Sequence, residues 1–250
     1  MLIVALTALG VGGATVIGAL LGLLLKSVSQ KFSKIFLAFA GGIMLSAAVF
    51  GLILPSLECG GKLKLLITVS GIFTGALCLN LIDKITPHLH KMIGRDIEEH
   101  KSSSLNKVLL FVIAIAIHNL PEGIAAGVGF GTDNQTYGML IAIGIALQNI
   151  PEGMVIIAPM INSGVSRKKA FLIATITGLF EVVGTFIGYF AVRIATIILP
   201  FALAFAGGTM LYVVSDEMIP ETHSDGNKRG VTYSLLIGFC LMLIIDVLLG

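Results

Sequence analysis

The sequence predicts an all-α integral membrane protein with eight transmembrane helices, and two observations carry this prediction. The first is composition: of 250 residues, 56% are hydrophobic and only 12% are charged, with a mean hydropathy of +1.00. Soluble domains carry about 25% charged residues, so the shortage of charge indicates a surface that faces lipid. The second is a succession of long apolar stretches separated by short polar segments. The net charge of +2 does not indicate nucleic-acid binding.

Each predicted span has about the 20 predominantly apolar residues that a transmembrane helix needs. The connections between spans are short, apart from residues 84–107, and we expect residues 1–250 to form a single transmembrane domain. Thirty glycines suit helices that pack backbone to backbone in a membrane. In chain order, the predicted spans are 3–25, 35–56, 64–83, 108–129, 137–160, 170–192, 197–219 and 231–249.

Lysine and arginine orient the predicted bundle, because cytoplasmic loops of membrane proteins are enriched in both. The loops after the first, third, fifth and seventh spans hold most of these residues, whereas the other loops hold only Lys62, Lys64 and Arg193. This asymmetry predicts a multi-pass protein of the cell membrane with loop 84–107 in the cytoplasm and both termini outside.

The fourth span contains a polar motif, with the sequence HNLPEG at residues 118–123. At about 100° per residue, Glu122 lies between His118 and Asn119 around the helix and about 40° from His118. One side of this helix therefore presents an imidazole, an amide and a carboxylate. Pro121 also frees a backbone carbonyl one turn earlier, which adds an oxygen near the carboxylate.

The fifth span repeats the motif as QNIPEG, so that Gln148, Asn149 and Glu152 follow the same pattern. Glu181, in the sixth span, is a third intramembrane carboxylate. Each charge at mid-span costs about 2.5–3.5 kcal/mol on insertion scales, and no Lys or Arg lies deep in any span to offset it. Bound cations would compensate, and imidazole, carboxylate and amide ligands together suit Zn²⁺ and related transition metals.

Other interpretations of the same residues remain open. The polar side chains could hydrogen-bond between helices, or the carboxylates could relay protons. An intramembrane metalloenzyme would need an open coordination position and a general base, and HNLPEG is not an HExxH motif. An ion channel would use the same ligands as a carrier. There is no GxxxxGK[ST] loop, so we expect no use of ATP.

The paired motifs identify the chain as resembling the Zrt-/Irt-like (ZIP) family of metal transporters, most closely its small prokaryotic branch, and the resemblance covers essentially the whole chain. It implies no catalytic residues and a site for two ions. Some members have Asp where this chain has Asn149, so the amide makes the second position less anionic. By motif, the first ion would be bound by His118, Glu122, Gln148 and Glu152, and the second by Asn119, Glu122, Asn149, Glu152 and Glu181.

The resemblance also implies a mechanism and a fold. Zn²⁺ would enter the cytoplasm by alternating access, and Cd²⁺, Fe²⁺, Mn²⁺ or Co²⁺ are further candidate substrates. The first three and last three spans would form an inverted repeat around spans four and five. Relatives are often homodimers, so we expect a homodimer here.

The resemblance further implies metal-binding positions at the two ends of the pathway. A cytoplasmic exit would draw on the end of the third span, the following loop and the end of the seventh span, whereas an entrance would lie near the outer end of the eighth. Solvated polar loops and ordinary helix contacts are the alternative interpretations. The exit candidates are Asp83, His88, His90, Asp216 and Glu217, and the entrance candidates are Asp246 and Ser46.

Overall fold

The computed structural model describes residues 1–24, 30–85, 119–130, 135–162, 164–224 and 228–249. Within these ranges every regular element is helical, which confirms the all-α prediction for the described part of the chain. The α-helices are α1 (Leu2–Leu24), α2 (Gln30–Ser46), α3 (Leu54–Cys59), α4 (Lys64–Ile85), α5 (119–129), α6 (Gln135–Asn162), α7 (Arg167–Ile194), α8 (Leu199–Val213), α9 (Ile219–His223) and α10 (Lys228–Leu249).

Seven helical segments in the described ranges are long and apolar enough to cross a membrane. The fourth predicted span, 108–129, is described only from residue 119 onward, so the total of eight spans stays a prediction. The seven segments are Leu2–Leu24, Lys31–Cys59, Gly61–Ile82, Gly138–Ile157, Arg167–Ile194, Leu199–His223 and Arg229–Leu248.

Two of these segments contain a π-helical stretch that the apolar pattern did not indicate. One stretch, Ala47–Ile53, joins α2 to α3, and the other, Val214–Met218, joins α8 to α9. Each precedes a proline in the first turn of the next helix, Pro55 or Pro220. A proline cannot donate to the carbonyl four residues before it, so the backbone widens locally while the chain remains helical.

Glycines bring the long helices into backbone contact. In α1, Gly18 packs on the carbonyl of Ile150 in α6 and leaves no room for a Cβ atom. In α7, Gly184 packs in the same way on the carbonyl of Leu120 in α5. The contact of α1 with α6 is therefore matched by a contact of α7 with α5.

A second matched pair joins the remaining long helices. Gly42 of α2 packs on the carbonyl of Leu235 in α10, and Gly208 of α8 packs on the carbonyl of Ile72 in α4. The two glycines lie in nearly identical sequences, LAFAGGIML at 37–45 and LAFAGGTML at 203–211. The long helices thus form two groups, one of α1, α5, α6 and α7 and another of α2, α4, α8 and α10.

The principal apolar core lies where these groups meet. Its fully buried members include Ile43 of α2, Ile145 of α6 and Leu203 of α8. Polar residues of α5, α6 and α7 are buried next to this core, so the site described below lies inside the protein and away from the lipid-facing surface.

Candidate metal site

The described polar residues of the doubled motif and Glu181 lie within the group formed by α1, α5, α6 and α7. None of Asn119, Glu122, Gln148, Asn149 and Glu181 is more than 5% exposed. The remaining carboxylate of the motif pair, at position 152, is half-buried. Burial of this many polar groups at membrane depth is costly unless each finds a partner or a ligand.

Glu181 accepts hydrogen bonds on both carboxylate oxygens. Asn119 donates from Nδ2 to Oε1 at 2.5 Å, and Asn149 donates from Nδ2 to Oε2 at 2.6 Å. Thr15 of α1 donates from Oγ1 to Oε1 at 2.6 Å. Donors from α1, α5 and α6 therefore converge on one side chain of α7.

Thr15 and the backbone of Val11 were missed by the sequence analysis. Val11 contributes its carbonyl oxygen, which accepts from Asn149 Nδ2 at 3.3 Å. A single threonine in an apolar helix gives no distinctive signal, because its hydroxyl usually bonds to the preceding turn of its own helix. The close approach of Gly12 to Gly178 brings α1 near enough to α7 for Thr15 to act across helices.

Glu122 lies on the other side of the site, where several buried oxygens lack partners. The Glu122 carboxyl group lies close to the acidic side chains of Glu152 and Glu181. Gln148 lies beside it, yet neither polar atom of the Gln148 side chain forms a hydrogen bond of normal geometry among the described residues. Glu122 Oε2 and Asn149 Oδ1 are likewise buried and unpartnered. These oxygens, together with the nearby negative charge, suit a cation.

The carboxylates of the described residues are not sufficient by themselves to form a metal site. Within the described ranges, no group of three His, Cys, Asp or Glu side chains lies close enough to hold a metal ion. A site at Glu122 therefore needs amide oxygens, the His118 imidazole or both. His118 lies outside the described residues.

The glycines that end the two motifs have a packing role. Gly123 packs against the carbonyl of Glu181, and Gly153 packs against the carbonyl of Thr15. Neither position has room for a Cβ atom. Each motif thus combines polar side chains with a glycine that brings its helix against the helix carrying a partner of the network.

The predicted exit residues are only partly described. His88 and His90 lie outside the described residues, and Asp83 is described only as part of the α4 backbone. Asp216 is exposed and Glu217 is half-buried, both in the second π-helical stretch. The exit site stays a prediction.

The predicted entrance residues differ in their surroundings. Asp246 is half-buried near the end of α10. Ser46 is fully buried at the end of α2, and its Oγ has no hydrogen-bond partner in the described part of the chain. A buried, unpartnered hydroxyl is available to a ligand, and the entrance stays a prediction.

Comparison with known proteins gives consistent matches. The model of the ZIP zinc transporter family matches residues 90–246. A zinc transporter GufA of Myxococcus xanthus is 38% identical, over 96% of both chains. A zinc transporter ZIPB of Bordetella bronchiseptica is 36% identical, over 95% of this chain and 78% of its own. A zinc transporter ZupT of Chlorobaculum parvum is 35% identical, over 95% of this chain and 94% of its own.

Proposed function

This chain belongs to the ZIP zinc transporter family, and from that premise we propose that it carries Zn²⁺ across the cell membrane into the cytoplasm through the buried site of α5 and α6. Members of this family are transporters of divalent metal ions and not enzymes. The observation that supports this site most directly is the set of buried oxygens without partners on Glu122, Gln148 and Asn149. In lipid such groups cost free energy, which a transported cation would offset.

The proposed ligands of the ion are His118, Glu122, Gln148 and Glu152. Two carboxylates, an imidazole and an amide oxygen would replace the water shell of Zn²⁺ in a dry environment. One anionic residue comes from each motif, so the ion would join α5 to α6. The predicted second position, with Asn119, Asn149 and Glu181, stays a prediction.

Alternating access is supported by the matched contacts of the two helix groups. Gly18 of α1 contacts Ile150 of α6, and Gly184 of α7 contacts Leu120 of α5. The second contact therefore repeats the first, with α7 in place of α1 and α5 in place of α6. Gly42 of α2 contacts α10 and Gly208 of α8 contacts α4, which follows the same exchange and supports the proposal of an inverted repeat. In this proposal the group that binds the ion moves against the group of α2, α4, α8 and α10.

We expect the purified protein in proteoliposomes to accumulate Zn²⁺ in the lumen with saturable kinetics. The reason is that an ion held by several ligands occupies the site and limits the rate at high concentration. Uptake can be followed with a zinc-sensitive dye trapped inside the vesicles. The order of substrate preference can be measured by the inhibition of Zn²⁺ uptake when a competing ion is added, in turn Cd²⁺, Fe²⁺, Mn²⁺ and Co²⁺. Flux no greater than in protein-free vesicles would contradict the proposed function, and non-saturating flux would favour a channel.

The proposed orientation predicts opposite labelling of two cysteine positions in intact cells. Cys59 is exposed at the end of α3, between the second and third predicted spans and therefore on the side predicted to be outside, so a variant that keeps only this cysteine should react with a membrane-impermeant maleimide. A variant whose single cysteine comes from Ser102→Cys, in loop 84–107, should react only after permeabilisation. The reverse pattern would place both termini in the cytoplasm.

A further inference from the structure

The hydrogen bonds around Glu181 separate this residue from the ion-binding side of the site. Resting on the proposed function, we propose that Glu181 is a positioning residue, held with Thr15 and two asparagine amides in a permanent network, and that the site binds one ion instead of two. The donors to Glu181 come from α1, α5 and α6, and Thr15 is a member of this network that no motif indicates.

The first argument is that hydrogen bonds occupy most of the acceptor sites of the Glu181 carboxylate. Three neutral donors occupy its two oxygens, out of about four acceptor sites on an ionised carboxylate. Charge-assisted hydrogen bonds of this kind are among the stronger ones in proteins. The network therefore offsets part of the cost of burying the Glu181 carboxylate without a second cation.

The second argument is the orientation of the Asn149 amide. Its Nδ2 donates both to Glu181 Oε2 and to the carbonyl of Val11. Turning the amide so that Oδ1 meets an ion beside Glu181 would break both bonds and leave the Val11 carbonyl without this donor. An aspartate carboxylate at position 149 could not donate the bonds to Glu181 and Val11. The asparagine amide therefore favours the hydrogen-bond network over coordination of a metal ion.

The third argument is where the unpartnered oxygens lie. Glu122 Oε2, Gln148 Oε1 and Asn149 Oδ1 are buried and lack partners among the described residues, whereas both oxygens of Glu181 have partners. Buried polar atoms without partners are rare and call for a ligand or water. The unpartnered oxygens of Glu122 and Gln148 therefore indicate an ion position at Glu122, whereas the Glu181 carboxylate has no unpartnered oxygen.

The network also explains how Glu181 affects the ion without binding it. Asn119 is three residues before Glu122 on α5, and Asn149 is three residues before Glu152 on α6. By holding both amides, Glu181 fixes the two helices that each supply one anionic ligand. Thr15 fixes the Glu181 carboxylate in turn.

The test is the number of Zn²⁺ ions bound per chain by the full-length protein in detergent, measured by elemental analysis and by titration with Zn²⁺ alone. We expect one ion for the wild type and one for Glu181→Gln, and no ion at this site for Glu122→Gln. Asn149→Asp should bind two, because the introduced carboxylate would face Glu181 with no donor between the two acidic groups. Two ions in the wild type and one in Glu181→Gln would overturn this inference and leave the proposed function intact. Zn²⁺ content unaffected by Glu122→Gln would instead overturn the proposed site itself.

The positioning role of Thr15 is tested with variants of nearly equal shape. Thr15→Val should weaken Zn²⁺ binding roughly tenfold, as expected when a group that orients metal ligands is lost, with the stoichiometry unchanged. Thr15→Ser should restore the affinity. The matched control is Thr185→Val: Thr185 is equally buried one turn beyond Glu181, but its hydroxyl donates to the backbone carbonyl of Glu181. Equal losses of affinity in Thr15→Val and Thr185→Val would overturn the assignment.

Discussion

Replacing Glu122 with Gln should reduce Zn²⁺ uptake into proteoliposomes to the level of protein-free vesicles. The substitution keeps the shape of the side chain but removes the negative charge of a residue that is only 1% exposed. Removing one partner of a buried charge pair costs about 3–5 kcal/mol, and every 1.4 kcal/mol is a factor of ten in binding. We therefore expect a loss of at least about a hundredfold in uptake at low Zn²⁺ concentration.

The matched control for this experiment is Glu58→Gln. Glu58 is exposed near the end of α3, outside the proposed pathway, so uptake should stay at the wild-type level. Both variants should elute as the wild type does in size-exclusion chromatography. Uptake by Glu122→Gln within twofold of the wild type, with a normal elution profile, would refute the placement of the ion between α5 and α6.

Much of the candidate site could be predicted because polar groups are rare in lipid-facing helices and therefore stand out. The doubled motif and Glu181 were expected to come together, and the structure places Asn119, Asn149 and Glu181 in direct hydrogen bonds. Helical periodicity assigns the polar residues of each motif to one side of its helix, and the resemblance to the family implied that Glu181 joins them. The roles of these residues in metal binding remain predictions.

The role of Thr15 could not be predicted, because it depends on how α1 docks against α7. That docking is set by glycine contacts between helices far apart in sequence, and local periodicity carries no information about them. The amide orientation of Asn149 is a similar case. Whether its nitrogen or its oxygen faces Glu181 follows from the Val11 carbonyl, which no side-chain pattern indicates.

The proposed inverted repeat, by contrast, has a signal in the sequence that the pattern of apolar spans did not indicate. The stretches 37–45 and 203–211 differ only at Ile43 and Thr209. Their shared glycines, Gly42 and Gly208, make matching backbone contacts with α10 and α4. Close backbone packing favours glycine at such positions, which gives a physical reason for the two stretches to share these residues.

The same reasoning predicts opposite effects for two neighbouring glycines of α1. A Cβ atom at Gly12 would overlap the carbonyl oxygen of Gly178 in α7 and crowd Val182, whereas nothing lies within 4 Å of a Cβ atom at Gly13. Gly12→Ala should push α1 away from α7 and disturb the bond from Thr15 to Glu181. We expect a loss of about 1–3 kcal/mol in stability, typical of an overpacked core, and a strong reduction of Zn²⁺ uptake.

Gly13→Ala should instead keep full uptake, with stability unchanged or raised by up to about 1 kcal/mol, because alanine is the better helix former. Thermal unfolding in detergent, followed by loss of the monodisperse chromatographic peak, separates the two variants, and proteoliposome uptake supplies the functional comparison. Because both substitutions add one methyl group to adjacent positions of one helix, a general sensitivity of α1 would affect them equally. Only a specific contact with α7 predicts that Gly12→Ala loses stability and Zn²⁺ uptake while Gly13→Ala keeps both. Equal stability and equal uptake of the two variants would show that this contact does not hold α1 at the site.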